Sequence, residues 1–120
     1  MNTRAMGSEM EKKAKRFLEM QGVWILVTNY SCRKGEVDII GKLEDTLIFF
    51  EVKARSSEQA GLAEEAVDER KQKKICSVVD FYRMQHLNLA QLQVRFDVLA
   101  INGDTIEWIR DAFPYQGKGF

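Results

Sequence analysis

One histidine, one proline and two cysteines are spread over 120 residues, and 18 lysines and arginines meet 18 aspartates and glutamates, leaving no formal net charge. Each scarcity removes a class of function. The one imidazole, His86, falls in a predicted loop, which argues against a histidine-ligated zinc centre, a histidine-metal nuclease and a histidine-based nucleophilic triad. Cys32 and Cys76 form neither a C-x-x-C pair nor a dense framework, so they read as buried or idle thiols. Neutrality means that long-range attraction to a polyanion is no general argument here. No apolar run approaches the roughly 20 residues of a membrane span, and the basic amino-terminal stretch has no apolar segment behind it. No membrane association and no secretory signal are therefore expected, and the chain is expected in the cytoplasm. Neither G-x-x-x-x-G-K-[ST] nor G-x-G-x-x-G occurs, so nucleotide-triphosphate hydrolysis and dinucleotide binding lack a site.

What is present is the composition of one ordinary globular domain, 45% hydrophobic and 30% charged. The whole chain, 1–120, reads as that domain, with a core over about 7–110 and a flexible tail from 114. Met10, Ala14, Phe17 and Leu18 recur at helical spacing between Ser8, a candidate N-cap, and Gly22, a candidate stop. VWILVTNY, 23–30, is β-branched and aromatic and predicts a strand. After a polar loop over 56–61, helical character runs from Leu62 to about Gln85. QVRFDVLAI and TIEWI then predict two strands joined at Asn102, Gly103 and Asp104. The order αβββαββ, with a long helix joining the third and fourth strands, predicts an α/β domain with a mixed central sheet flanked by helices. Trp24, Phe81 and Trp108 are expected in the core rather than as base-stacking platforms.

The stretch from Gly35 to Arg55 alternates with a period of two. Val37 and Ile39 are expected on one face, with Glu36, Asp38 and Ile40 on the other. In the following strand Leu47, Phe49, Glu51 and Lys53 oppose Ile48, Phe50 and Val52. A turn centred on Glu44 and Asp45 sets Asp38 opposite Glu51 and Glu36 opposite Lys53. Directly opposed residues lie within roughly 5.5 Å at Cβ. Two carboxylates that close on apolar strands repel and resist desolvation unless a proton or cation sits between them.

A divalent metal answers that need and points to phosphodiester chemistry. Hard carboxylate oxygens suit Mg²⁺ or Mn²⁺, and such sites use one or two carboxylates and leave other positions to water and substrate phosphate. Asp38 and Glu51 are the candidate ligands, and the carbonyl of Val52 is a candidate third. Lys53 falls on the face of Glu51 by strand parity, placed to orient a water or to offset charge developing at phosphorus.

Asp38 followed by Glu51-Val52-Lys53 resembles the PD-(D/E)xK nuclease superfamily. The resemblance extends along the chain through Gly7, Glu11-x-x-Ala14-x-x-x-Leu18, Asn29, Gly35-Glu36-x-Asp38, Phe49-x-Glu51-Val52-Lys53-x-Arg55, Ala66-Val67-x-x-x-Lys71 and Arg95-Phe96-Asp97. Together these are similar to the bacterial YraN family, from Gly7 to about Ile101, with Met10 standing where that family more often has glycine. The resemblance implies a restriction-endonuclease-like fold distantly similar to archaeal Holliday junction resolvases. It also implies a metal-dependent DNA endonuclease, with branched or damaged DNA among its substrates and a homodimer as its working form. Glu11 would correspond to the extra acid that the resolvases carry ahead of the first strand; its plain reading is an exposed helix carboxylate like its neighbour Glu9.

Three further residues, Lys71, Arg55 and Glu36, carry two readings each, and Gln72 is a weaker candidate for substrate contact. Lys71 lies near the apolar face of the second helix, either reaching a substrate phosphate or snorkelling from the KQKK run, and Gln72 lies one step round. Arg55 continues the face of Glu51 and Lys53, as a phosphate contact or as an exposed strand-end arginine. Glu36 either pairs with Lys53 or joins the metal shell. Arg95 and Asp97 share a face of an internal strand and are expected to pair structurally with one another's neighbours. The alternative to a nuclease is a non-catalytic module, binding nucleic acid or a partner, that retains the nuclease fold.

Overall fold

The computed structural model describes residues 3–54 and 69–115, with side chains from Glu9 onward. Helix α1 (Thr3–Met20) leads into β1 (Trp24–Cys32), β2 (Gly35–Leu43) and β3 (Thr46–Ala54). Helix α2 (Glu69–Gln85) and a short 3₁₀ turn (Leu87–Leu89) then lead to β4 (Gln93–Asn102) and β5 (Thr105–Phe113). The expected αβββαββ order is what forms. The five strands make one sheet in chain order, antiparallel throughout except for the parallel pair β3 and β4 that α2 connects.

Each helix covers one face of the sheet, as its apolar stripe requires. Ala14 and Leu18 of α1 pack with Ile39, Ile48, Phe50 and Leu99. Ile75, Val78, Val79 and Tyr82 of α2, at helical spacing, pack with Ile40, Phe49, Phe96 and Val98 on the other side. Full burial of each such side chain is worth roughly 1.5–3 kcal/mol, so neither helix depends on propensity alone. Helix α1 stops where expected: Val23 N–H reaches Leu18 O at 3.0 Å and Gly22 N–H reaches Glu19 O at 3.1 Å, with Gly22 at φ +91°. This six-to-one and five-to-two pairing is the Schellman arrangement, and its left-handed residue favours glycine.

Three expectations are corrected. Ser8 is inside α1 rather than at its start, because alanine, methionine and arginine at 4–6 let the helix begin earlier. Trp24 is 76% exposed at the start of an edge strand instead of buried. Strand β5 runs on to Phe113, resuming after Asp111 at φ +54° because the Asp111 N–H is held by Asp97 at 2.9 Å. The first turns expected for the second helix, the 56–61 loop and most of the tail lie outside the described residues. The tail's first residues are tied down: Tyr115 donates to Asp80 and packs against Phe96.

The hairpin that positions the site has the expected register. Ile39 faces Phe50, Gly41 faces Ile48 and Leu43 faces Thr46, with Glu44 at φ +54° in the turn. Leu47 and Phe49 point toward α2, whereas Ile48, Phe50 and Val52 point toward α1. In β2 the alternation fails. Val37 packs with Ile40 on the α2 side while Ile39 packs on the α1 side. The break coincides with a kink shared by two strands: Asn29, level with Asp38, sits at φ +53°, and the β1–β2 pairing passes from Thr28–Ile39 to Tyr30–Val37 without them.

Candidate functional site

At the kink the β2–β3 ladder ends, its last pair being Ile39 and Phe50. Asp38 supplies with its side chain what the backbone no longer does: its Oδ2 accepts the Val52 N–H at 2.7 Å. A carboxylate thus closes the gap between parting strands, fixed by a charge-assisted hydrogen bond. Glu51 follows on β3, only 9% exposed. Its Oε1 lies 2.5 Å from Nζ of Lys71, on α2, and 3.4 Å from Nζ of Lys53. Asp38, Glu51, Val52, Lys53 and Lys71 therefore converge where β2, β3 and α2 meet.

The charges are unevenly matched. Asp38 is pushed up to about 6 by burial first and by the Glu51 charge second, against the opposing pull of the Val52 N–H and Lys71. Burial lowers Lys53 from the ordinary lysine value, and the nearby Lys71 ammonium lowers it further. Burial also opposes the charge on Lys71, but hydrogen bonds to Glu51 and Lys53 outweigh it and the group is raised. The two lysines are thereby separated in character: Lys71 holds its proton, and Lys53 gives its proton up more readily.

The remaining candidates divide. Glu11, on α1, accepts a hydrogen bond from Asn29 Nδ2 at 2.6 Å. Asn29 is level with Asp38 across the β1–β2 pairing, so one side chain links the α1 carboxylate to the kink. Glu11 does not join the pair directly: among the described residues no three Asp, Glu, His or Cys side chains gather closely enough to share an ion. Neither expected opposition forms as a ladder pair, since the ladder ends at Ile39 and Phe50: Asp38 takes the Val52 N–H rather than lying in register with Glu51, and Glu36 pairs with Ser31 of β1 rather than with Lys53. Glu36 is exposed but its charge still reaches Asp38 and raises it. Gln72 is half-buried on α2, and Arg55 lies outside the described residues.

Arg95 and Asp97 are structural, and they pair with each other rather than only with neighbours. Asp97 is 1% exposed and accepts from Arg95 Nε at 2.9 Å, Arg95 Nη2 at 2.8 Å, Trp108 Nε1 at 2.7 Å and the Asp111 N–H. Asn29 is what sequence reasoning passed over as a positioning residue. Its signal was present, because asparagine is among the few side chains that tolerate a left-handed backbone.

The two carboxylates are of the hard oxygen type that a divalent cation takes, though Glu51 is also paired with Lys53 and Lys71. Asp38 is raised chiefly by burial and then by the charge of Glu51, so a cation between the two would favour the ionised carboxylate. Asp38 and Glu51 would hold the ion, with water and a phosphate oxygen completing the shell.

Comparison with known proteins bears on the whole chain. The profile of the uncharacterised protein family UPF0102 matches residues 10–101. A UPF0102 protein from Saccharophagus degradans is 40% identical over 107 residues, covering 89% of this chain and 91% of its own. One from Aeromonas hydrophila is 41% identical over 108 residues, covering 89% and 83%. One from Fusobacterium nucleatum is 38% identical over 120 residues and is covered along its full length, as is this chain.

Proposed function

The chain belongs to the UPF0102 family, in keeping with its YraN-like motifs, and from that premise and the site geometry we propose that it is a metal-dependent endonuclease hydrolysing DNA phosphodiester bonds. One observation carries the reading: Asp38, half-buried and raised by the charge of Glu51, lies close to Glu51, and Glu51 is paired with Lys53 two residues along the same strand. A bound Mg²⁺ or Mn²⁺ would polarise a phosphoryl oxygen and lower the pKa of a coordinated water. Asp38, held by the Val52 N–H, and Glu51 would hold the ion, with the Val52 carbonyl a candidate third ligand. Lys53, whose ammonium lies 3.4 Å from Glu51, would orient the attacking water or offset the charge developing at phosphorus. Lys71 holds Glu51 in place until substrate arrives, and Glu11, through Asn29, steadies the kink from the α1 side. Branched or damaged DNA as substrate, a homodimer that cuts paired strands and a cytoplasmic location go with this reading.

A second reading has an observation of its own. Two ammonium groups already neutralise Glu51, which suits a nucleic-acid- or partner-binding module that needs no metal. Cleavage of linear, single-stranded and four-way-junction DNA in Mg²⁺ or Mn²⁺, beside calorimetric metal titration, separates the two. The nuclease reading expects cleavage abolished by chelation and reduced at least a hundredfold by Asp38→Ala and by Lys53→Ala. Cleavage indifferent to both substitutions, or no metal binding by the wild-type protein, would end it.

A further inference from the structure

Beside the carboxylate site runs a groove of about 560 Å³ between the β1–β2 turn and the first turns of α2. Its walls include Ser31, Cys32 and Glu36 on the sheet side and Arg70, Lys71 and Lys74 on the helix. Its volume falls in the range of small-ligand clefts, roughly 300–1,000 Å³. The turn next to the sheet-side wall carries Arg33 and Lys34, exposed and outside the lining itself. In a chain with equal numbers of acidic and basic residues, the lining sets Arg70, Lys71 and Lys74 against the single acid Glu36. A mere solvated helix face would not enclose a cleft, nor would it share a residue with the site. Here Lys71 does both: it lines the groove, and its Nζ lies 2.5 Å from Glu51.

We propose that this groove seats the nucleic-acid backbone next to the scissile phosphate, with Arg70 and Lys74 as phosphate contacts and Lys71 as the link to Glu51. The proposal rests on the nuclease reading for the position of the scissile phosphate. Arginine and lysine suit the two ends of the task, the first as a planar fork and the second as a mobile point charge. A phosphate entering the groove competes with Glu51 for the Lys71 ammonium. Drawing Lys71 toward the phosphate leaves Glu51 with Lys53 alone and more available to a divalent ion. Backbone binding and metal binding then reinforce one another, and linkage makes that reinforcement reciprocal. The groove reads charge and spacing rather than base identity, so it predicts weak sequence preference.

The test uses the full chain and a fluorescent single-stranded DNA oligonucleotide, with Ca²⁺ in place of Mg²⁺ so that binding is read without turnover. Arg70→Glu/Lys74→Glu is expected to weaken binding at least tenfold and to flatten the dependence of log K on log salt by about 1.4, at roughly 0.7 per lost contact on a single strand. Lys15→Glu/Arg16→Glu, which changes net charge equally but sits on α1 across the sheet, is expected to stay within threefold of wild type. Arg70→Gln/Lys74→Gln should fall between. Cys32 supplies a positional readout, since Cys76 is buried: bound DNA should slow alkylation of Cys32 in wild type. Equal weakening by the α1 and α2 variants would overturn the groove in favour of simple net charge. Unslowed alkylation with DNA bound would overturn its placement.

The two readings fail separately. Groove-dependent binding by a wild-type protein that cuts nothing would remove the nuclease reading while the groove stands. Mg²⁺-dependent cleavage by Arg70→Glu/Lys74→Glu with unchanged KM would remove the groove and leave the nuclease.

Discussion

Asp38→Asn is expected to make the metal-free protein more stable at neutral and alkaline pH, at the site where it should destroy activity. Asp38 moves from 3.8 to about 6 on folding, chiefly through burial and the Glu51 charge. About two pKa units at 1.36 kcal/mol each amount to about 3 kcal/mol. The sign follows from proton counting. A carboxyl whose folded pKa is raised adds stability below the unfolded value and loses it as pH climbs through the folded value. Below about pH 4 Asp38 is protonated in both states and costs nothing. Between about 4 and 6 the unfolded chain releases a proton that the folded chain retains, so stability falls, and above about 6 the full penalty of about 3 kcal/mol applies.

Asparagine removes the charge yet retains an oxygen for the Val52 N–H, which Asp38 meets at 2.7 Å. The stability difference between Asp38→Asn and wild type should be near zero at pH 4 and about 2–3 kcal/mol in favour of the variant at pH 8. For a domain of this size that corresponds to a rise in Tm of roughly 10 °C. Urea unfolding followed by circular dichroism across that pH range, in chelator, measures it. Added Mg²⁺ should then raise the Tm of wild type, by mass action on the folded state, and barely move that of the variant. A variant no more stable than wild type at pH 8, or a difference independent of pH, would refute the claim that burial and the Glu51 charge raise Asp38.

Other perturbations probe the frame around the site. Gly41→Ala should cost about 1–3 kcal/mol in chemical denaturation, since an added Cβ would stand 2.7 Å from Val23 Cγ1 and 3.2 Å from Trp24 O. Asp97→Ala should cost about 3–5 kcal/mol, because it strips Arg95 of its bidentate partner and leaves the Trp108 and Asp111 N–H groups without theirs; a loss below about 1 kcal/mol would show that the cluster is not structural. Asn29→Gly retains the φ of +53° while releasing Glu11. It should leave Tm within a few degrees yet lower kcat for Mg²⁺-dependent cleavage, an effect that Glu11→Gln should reproduce; unchanged kcat in both would remove Glu11 from the site.

Much of the fold was legible because its signals are local. The apolar spacing of Met10, Ala14, Phe17 and Leu18 needs only the helical repeat, and Gly22 marks its end by an intrinsic backbone freedom. The parity of β3 was equally readable, so Glu51 and Lys53 fell on one face as Leu47 and Phe49 did. The misreadings arose where one strand answers to another. Val37 and Ile39 part company because β1 and β2 kink together at Asn29 and Asp38, which alternation along a single strand does not register. Trp24 was assigned to the core by its residue type, although its place at the start of an edge strand leaves it exposed.

What the sequence by itself determined is the chemistry on offer: two carboxylates close in the chain to a lysine, with Glu51 and Lys53 set on one face by strand parity, in a chain without the phosphate loops of other hydrolases. The tertiary structure decided how those groups are held. It ends the ladder at Ile39 and Phe50 and turns Asp38 onto the Val52 N–H, brings Lys71 across from α2 to Glu51, and hangs Glu11 on Asn29. Each of these joins residues on different elements, 14 to 20 positions apart in the chain. Contacts across such separations are set by how α1 and α2 dock on the two faces of the sheet, and that docking is decided by the packing of the whole core rather than by any pattern along one segment.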